Sequence, residues 1–132
     1  MSEPISTKGR ILDAAEKLFG MNGFEATSLR DITAEAGVNL AAVNYHFHSK
    51  DSLIDATIER RIEPVNRKRL ELLEALGPGP TLEGILAAFL EPVMMSDFRP
   101  VVPLIGRVMS NPEMFQDRVF RNHLMHISQR FH

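Results

Sequence analysis

The sequence predicts an all-α chain. Apolar residues recur at steps of three and four, no segment alternates like a strand, and the breaks fall on capping residues, Gly and Pro. In the first helix Ile11, Leu12, Ala15, Leu18 and Phe19 form one face after the caps Ser6 and Thr7, and Asn22-Gly23 supplies the stop. Ser28 with Asp31 three residues on reads as a capping-box start for a helix of roughly nine residues that ends at Gly37. Asn39 can cap a third short helix from Leu40 to about Phe47, with Val38 and Val43 turned to the core.

Ser49 caps a fourth helix that carries Leu53, Ile54 and Ile58, is interrupted or kinked at Pro64, and continues to Leu76. "GPGP" at Gly77 to Pro80 is the clearest break. Thr81 then opens an apolar helix that Pro92 bends. Pro103 and Pro112 fit the first turns of two more helices. The last one sets Phe120, Leu124, Ile127 and Phe131 at steps of four, three and four up to His132, which suggests that the 132 residues are a piece of a longer protein.

Composition narrows the function classes. With no cysteine there is no disulfide framework and no thiolate metal site, and neither a signal peptide nor a membrane span is recognisable, so a cytoplasmic location is expected. A formal net charge of −2 gives no global sign of nucleic-acid binding. Locally the balance changes. From Ala36 to Lys50 there is no Asp or Glu, while His46, His48 and Lys50 are all present.

A short helix, the turn "GVN" and a second short helix form the arrangement of a helix-turn-helix, whose second helix presents side chains to the DNA major groove. Gly37 allows the turn, and the small Ala41 and Ala42 let the backbone approach the groove. The expected base-facing residues are Asn39, Leu40, Ala41 and Asn44. Thr27, Ser28, Tyr45, His46 and Lys50 are expected at the DNA backbone, where contacts position the protein without reading sequence. Phe47 is assigned to the core, and Tyr45 is divided between core and phosphate.

The residues from Ile11 to about Ala56, "ILDAAEKLFGMNGFEATSLRDITAEAGVNLAAVNYHFHSKDSLIDA", resemble the DNA-binding domain of TetR-family transcriptional repressors. The likeness includes "AA..LF...G" in the first helix, "RDI...AGV" in the second, and the "Y.HF.SK..L" pattern at Tyr45, His46, Phe47, Ser49, Lys50 and Leu53. "GVNLAAVNYHF" is further similar to the fatty-acid-responsive PsrA-like subgroup. Asn44 precedes Tyr45 where Arg or Tyr is common, and Ala41 and Ala42 stand where Lys and Gly are frequent, so no operator sequence carries over.

The resemblance implies a homodimer that binds double-stranded operator DNA. It also implies an N-terminal three-helix helix-turn-helix domain over residues 1–48, a connecting helix over 49–76, and part of a helical ligand-binding and dimerisation domain over 77–132. A small hydrophobic effector, such as a fatty acid or its coenzyme A thioester, is expected to release the operator by moving helix four. Its pocket is expected among Phe89, Leu90, Val93 and Met94 of one helix and Leu104, Val108, Met109, Phe115 and Val119 of the following ones.

Other classes fare worse. No Gly-rich phosphate loop, nucleophile motif or paired-carboxylate constellation supports an enzyme. A helical protein-interaction module without DNA is the remaining alternative. No cofactor or metal is expected, since His123 and His126 have no third ligand nearby and there is no HExxH. Methionines such as Met94, Met95, Met109, Met114 and Met125 suit either a flexible pocket or ordinary core filling. The "RKR" at Arg67 to Arg69, with Glu63, Glu71 and Glu74 on neighbouring turns, reads as a solvated face.

Overall fold

A computed structural model describes residues 6–97 and 99–124, and among these there is no strand. The helices are α1 (Thr7–Asn22), α2 (Leu29–Ala36), α3 (Leu40–Phe47), α4 (Lys50–Ala75), α5 (Leu82–Met95), α6 (Val102–Met109) and α7 (Pro112–Met114), the last continuing as a π-helix over Phe115–Leu124. No described helix is long and apolar enough to cross a membrane.

Capping chemistry sets most boundaries. Ser6 Oγ accepts from the Gly9 N–H at the start of α1, and Thr81 Oγ1 accepts from the Gly84 N–H at the start of α5. The capping box of α2 is complete: Asp31 N–H donates to Ser28 Oγ at 3.0 Å and Ser28 N–H donates to the Asp31 carboxylate at 2.9 Å. Gly37 ends α2 with φ 70°, a left-handed conformation that a side chain would resist. Ser52 N–H donates to Ser49 Oγ at the head of α4, which then runs through Pro64 as one helix.

The chain forms two compact units, Met1–Ile58 with Pro100–Asn111, and Glu59–Arg99 with Pro112–His132. In the first unit Ile11, Phe19, Ile32, Val43, Leu53 and Val101 are fully buried. α6 packs against α1. The approach is close because Gly20 has no side chain: a Cβ there would lie 3.0 Å from Pro103 Cβ and 3.1 Å from the Leu104 nitrogen. Arg107 then donates to the Gly20 and Met21 carbonyls at 3.3 and 3.1 Å, which α1 cannot satisfy with its own N–H groups. A single unit over 77–132 therefore gives way to a different division, because Leu104 and Val108 of α6 bury themselves in the first unit.

In the second unit the buried side chains among the described residues are Val65, Arg69, Ala88, Pro92 and Val119. Arg69 corrects the reading of "RKR" as a solvated face. Arg67 and Lys68 do pair with Glu63 and Glu71 at the surface, but Arg69 is only 6% exposed. It lies four residues after Val65, and hence on the inward face.

Pro92 has no N–H for the Ala88 carbonyl and crowds that turn of α5. The adjacent Phe89 carbonyl accepts from Arg69 Nε at 2.8 Å. In the π-helix Val119 is buried while Phe120 is 39% exposed. The wider turn, closed by i to i+5 bonds, rotates the face that three- and four-residue steps had assigned to Phe120. Ile127 and Phe131 lie outside the described residues.

The α1–α6 joint predicts that Gly20→Val lowers the thermal midpoint, since overpacking against a neighbouring backbone costs about 1–3 kcal/mol. Gly106→Ala on the open side of α6, where a Cβ would meet nothing within 4 Å, should leave the midpoint unchanged or raise it. Equal effects of the two substitutions in parallel melts would refute the joint.

Candidate nucleic-acid interface

The candidate interface is built on the turn between α2 and α3. From α1, the Arg10 guanidinium donates to the Ala36 carbonyl through Nε and Nη2 at 3.2 and 2.8 Å, and to the Gly37 carbonyl through Nη2 at 2.9 Å. Positive charge at a helix C-terminus is favourable, and the fork fixes where the turn leaves α2. Lys17 of α1 pairs with Glu35 of α2 at 2.6 Å on the surface.

α3 is eight residues long and is anchored by two side chains one turn apart, Val43 and Phe47, at 0% and 4% exposure. Leu40, Ala41, Asn44 and Tyr45 occupy the opposite face and are all exposed, Tyr45 to 79%. Tyr45 is thus no part of the core. Its ring stands edge-on to His46, which is half-buried. His48 ends the helix at φ 69°, and its N–H donates to the Asn44 carbonyl.

Asn39 carries two tasks. Its Oδ1 accepts from the Ala42 N–H at 2.9 Å as the cap of α3, so the remaining reach of its side chain lies in the amide NH₂. Ser28 is exposed at the capping box, and Lys50 is half-buried at the head of α4. Asp31 lies below the ordinary carboxylate range because the Ser28 N–H and then the Ser28 hydroxyl hydrogen-bond it, with Lys50 adding an attractive charge.

Thr27 is a correction. It is fully buried, and its hydroxyl donates inward to the Gly23 carbonyl at 2.8 Å and is 3.2 Å from the Leu18 carbonyl, so this side chain ties α1 to the approach of α2 and offers nothing to a phosphate. Sequence reasoning missed Arg10, whose partners lie 26 and 27 residues away, and local pattern gives no signal for it.

The nine residues expected around an effector do not share one unit. Leu104, Val108 and Met109 fall in the first unit, the former two buried and Met109 exposed. In the second unit Phe89 and Phe115 are half-buried, Val119 is buried, and Leu90, Val93 and Met94 are exposed. Among the described residues no group of three or more His, Asp or Glu side chains is placed to hold a metal ion, and His126 lies outside them.

Residues 11–57 match the profile of the bacterial regulatory proteins, tetR family. Over 59 residues the chain is 37% identical to a probable HTH-type transcriptional regulator, YttP, of Bacillus subtilis, covering 45% of this chain and 28% of that one. Over 93 residues it is 27% identical to the HTH-type transcriptional repressor KstR2 of Mycolicibacterium smegmatis, covering 70% of this chain and 45% of the relative. The chain thus spans less than half the length of these two relatives. A crystal structure of a TetR/AcrR-family transcriptional regulator from Aquifex aeolicus superposes with a TM-score of 0.53 at 26% identity, over 89% of this chain and 73% of the other.

The lowered Asp31 carboxyl carries a pH dependence. A group whose folded pKa is depressed contributes stability that is complete above its unfolded value and is lost as pH falls through its folded value. The melting midpoint of the natural chain should therefore exceed that of Asp31→Ala by a constant margin near neutrality, and the margin should close in acid. A margin that persists unchanged below the carboxylate range would refute the capping role.

Proposed function

We propose, from the match of residues 11–57 to the profile of the bacterial regulatory proteins, tetR family, that the chain is part of a homodimeric DNA-binding transcriptional regulator and not an enzyme. We read it as a repressor that a small hydrophobic effector releases from its operator. The observation that carries the DNA-binding part is the two-sided α3: Val43 and Phe47 hold it from behind, and Leu40, Ala41, Asn44 and Tyr45 stand exposed on the side a major groove would meet. A relative whose name is that of a repressor supports the direction of regulation.

In this reading Asn44 and the free amide of Asn39 reach base edges, Leu40 and Ala41 make apolar contact there, and Tyr45, His46, Lys50 and the Ser28 hydroxyl meet phosphates. The proposal for release is topological. The chain passes between its two units within α4, after Ile58, and again on either side of Pro100–Asn111. These are the covalent routes by which a rearrangement in the second unit can reach the reading head, so α4 and α6 are the elements on which an effector acts. The effector must favour one arrangement over the other, since equal affinity for both shifts nothing.

The test begins by selecting an operator from random duplexes with the complete dimeric protein, followed by binding titrations at several salt concentrations. Asn44→Ala should narrow the gap between operator and scrambled duplex, because a bidentate base contact is worth ~1–3 kcal/mol of discrimination. Lys50→Ala should weaken both duplexes alike and make the salt slope shallower by about one ion. Uniform weakening by Asn44→Ala would overturn its base-reading role, and absence of duplex binding at low salt would overturn the function.

A further inference from the structure

Of the three cation-forming side chains between Ala36 and Lys50, His46 and Lys50 have a place in the proposed function and His48 has none. His48 is also unusual in its backbone. Its φ is 69° and its ψ −38°, and across it the Ser49 N–H donates to the Phe47 carbonyl at 2.8 Å. That is a γ-turn in its positive-φ form, which is strained for any residue with a Cβ. The other described residues with positive φ are Gly23, Gly37, Gly77 and Gly79, so this chain otherwise places glycine at such positions.

The turn itself serves the fold, since α3 ends at Phe47 and α4 begins at Lys50, and only two residues carry the chain between them. Glycine would make the same turn with less strain, so the imidazole is not needed for it. Nor is the imidazole used elsewhere in the fold. It is exposed, and among the described residues it makes no hydrogen bond, ion pair or ring contact, whereas the His46 ring stands 5.0 Å from Tyr45. A strained position that keeps a side chain the fold does not use is a mark of function outside the fold.

Position identifies the partner. Leu40 and Asn44 precede His48 at steps of four on the exposed side of α3, and the His48 N–H donates to the Asn44 carbonyl at 3.0 Å, so His48 ends that row. A reading helix that sets its N-terminal residues against base edges leaves the groove past the DNA backbone at its other end. Positive charge gathers there: Lys50 heads α4, and the exposed Lys8 of α1 brings Nζ to 6.0 Å from the centre of the Phe47 ring. Asp51, the first carboxylate beyond, lies in the first turn of α4, where it complements that helix's dipole. We propose that His48 donates from its imidazole to a phosphate of the DNA backbone and that the strained turn holds it out to do so. An imidazole has a ring N–H to give whether neutral or protonated. This rests on the reading of the first unit as a DNA-binding head and adds a contact to it.

Melting and duplex binding of the complete dimeric protein, measured in parallel for three variants, test it. His48→Gly should raise the thermal midpoint by relaxing the turn, with the added freedom of the unfolded chain offsetting only part of the gain. It should nevertheless weaken binding about tenfold, the size of one lost hydrogen bond to a charged group. His48→Ala keeps the strain, so its midpoint should stay near the natural one while its binding falls by the same factor. Both losses should be equal on operator and scrambled duplex, because a phosphate contact reads no sequence. His48→Lys should keep the binding and steepen its salt dependence by about one ion. Natural affinity in His48→Ala overturns the proposal, as does a loss confined to the operator. A His48→Gly midpoint below the natural one overturns it as well, since the turn is then not strained. Circular dichroism identifies any variant that fails to fold, and the remaining two then decide. Absence of duplex binding by the natural protein at low salt overturns the DNA-binding reading itself, whereas duplex binding indifferent to all three variants overturns this contact alone.

Discussion

The last carbonyls of α2 have no helical N–H groups to receive, and the fork of Arg10 supplies three hydrogen bonds to them from α1. That contact decides where the chain turns after Gly37 and hence where α3 begins. At the other end of α1 the same problem recurs in reverse: its own final carbonyls, at Gly20 and Met21, receive Arg107 of α6. α1 is therefore the bar to which the rest of the first unit is fastened. A donor on α1 sets the turn, and acceptors on α1 hold α6.

With the turn fixed, the division of labour within α3 follows from helical geometry. Eight residues give little more than two turns, so Val43 and Phe47 are as much anchorage as the helix can place in the core while leaving a full face outside. Asn39 begins that face and also closes the helix at its N-terminus. Its donation and acceptance are thereby separated: the oxygen is bound to the Ala42 N–H and only the NH₂ is left for another partner. The buried Thr27 hydroxyl illustrates the opposite outcome, a polar group adjacent to the interface whose hydrogen bonds all turn inward.

Legibility in the sequence divided along the range of the interaction. The caps at Ser6, Ser28, Asn39, Ser49 and Thr81, and the stops at Gly23 and Gly37, depend on residue types within about one turn, and these were readable. The exposed and buried positions of α3 were readable for the same reason, apart from Tyr45, whose ring suits either environment. Thr27, Arg10 and the docking of α6 on Gly20 were not, because each depends on a partner brought close only by the tertiary fold. Arg69 is a different case. Its four-residue step from Val65 was visible, but the flanking Arg67 and Lys68 made a charged run the more economical description. In the last helix, periodicity assumed 3.6 residues per turn where the backbone adopts a wider one.

Arg10, Arg107 and Arg69 each donate to carbonyls at helix turns or ends, and their solvent exposure separates them. Arg10 and Arg107 are exposed, so water screens their charge and neutral carbonyls are sufficient partners. Arg69 makes a similar bond beside the proline of α5, but it is only 6% exposed, so two neutral acceptors and a ring face replace water around most of its guanidinium.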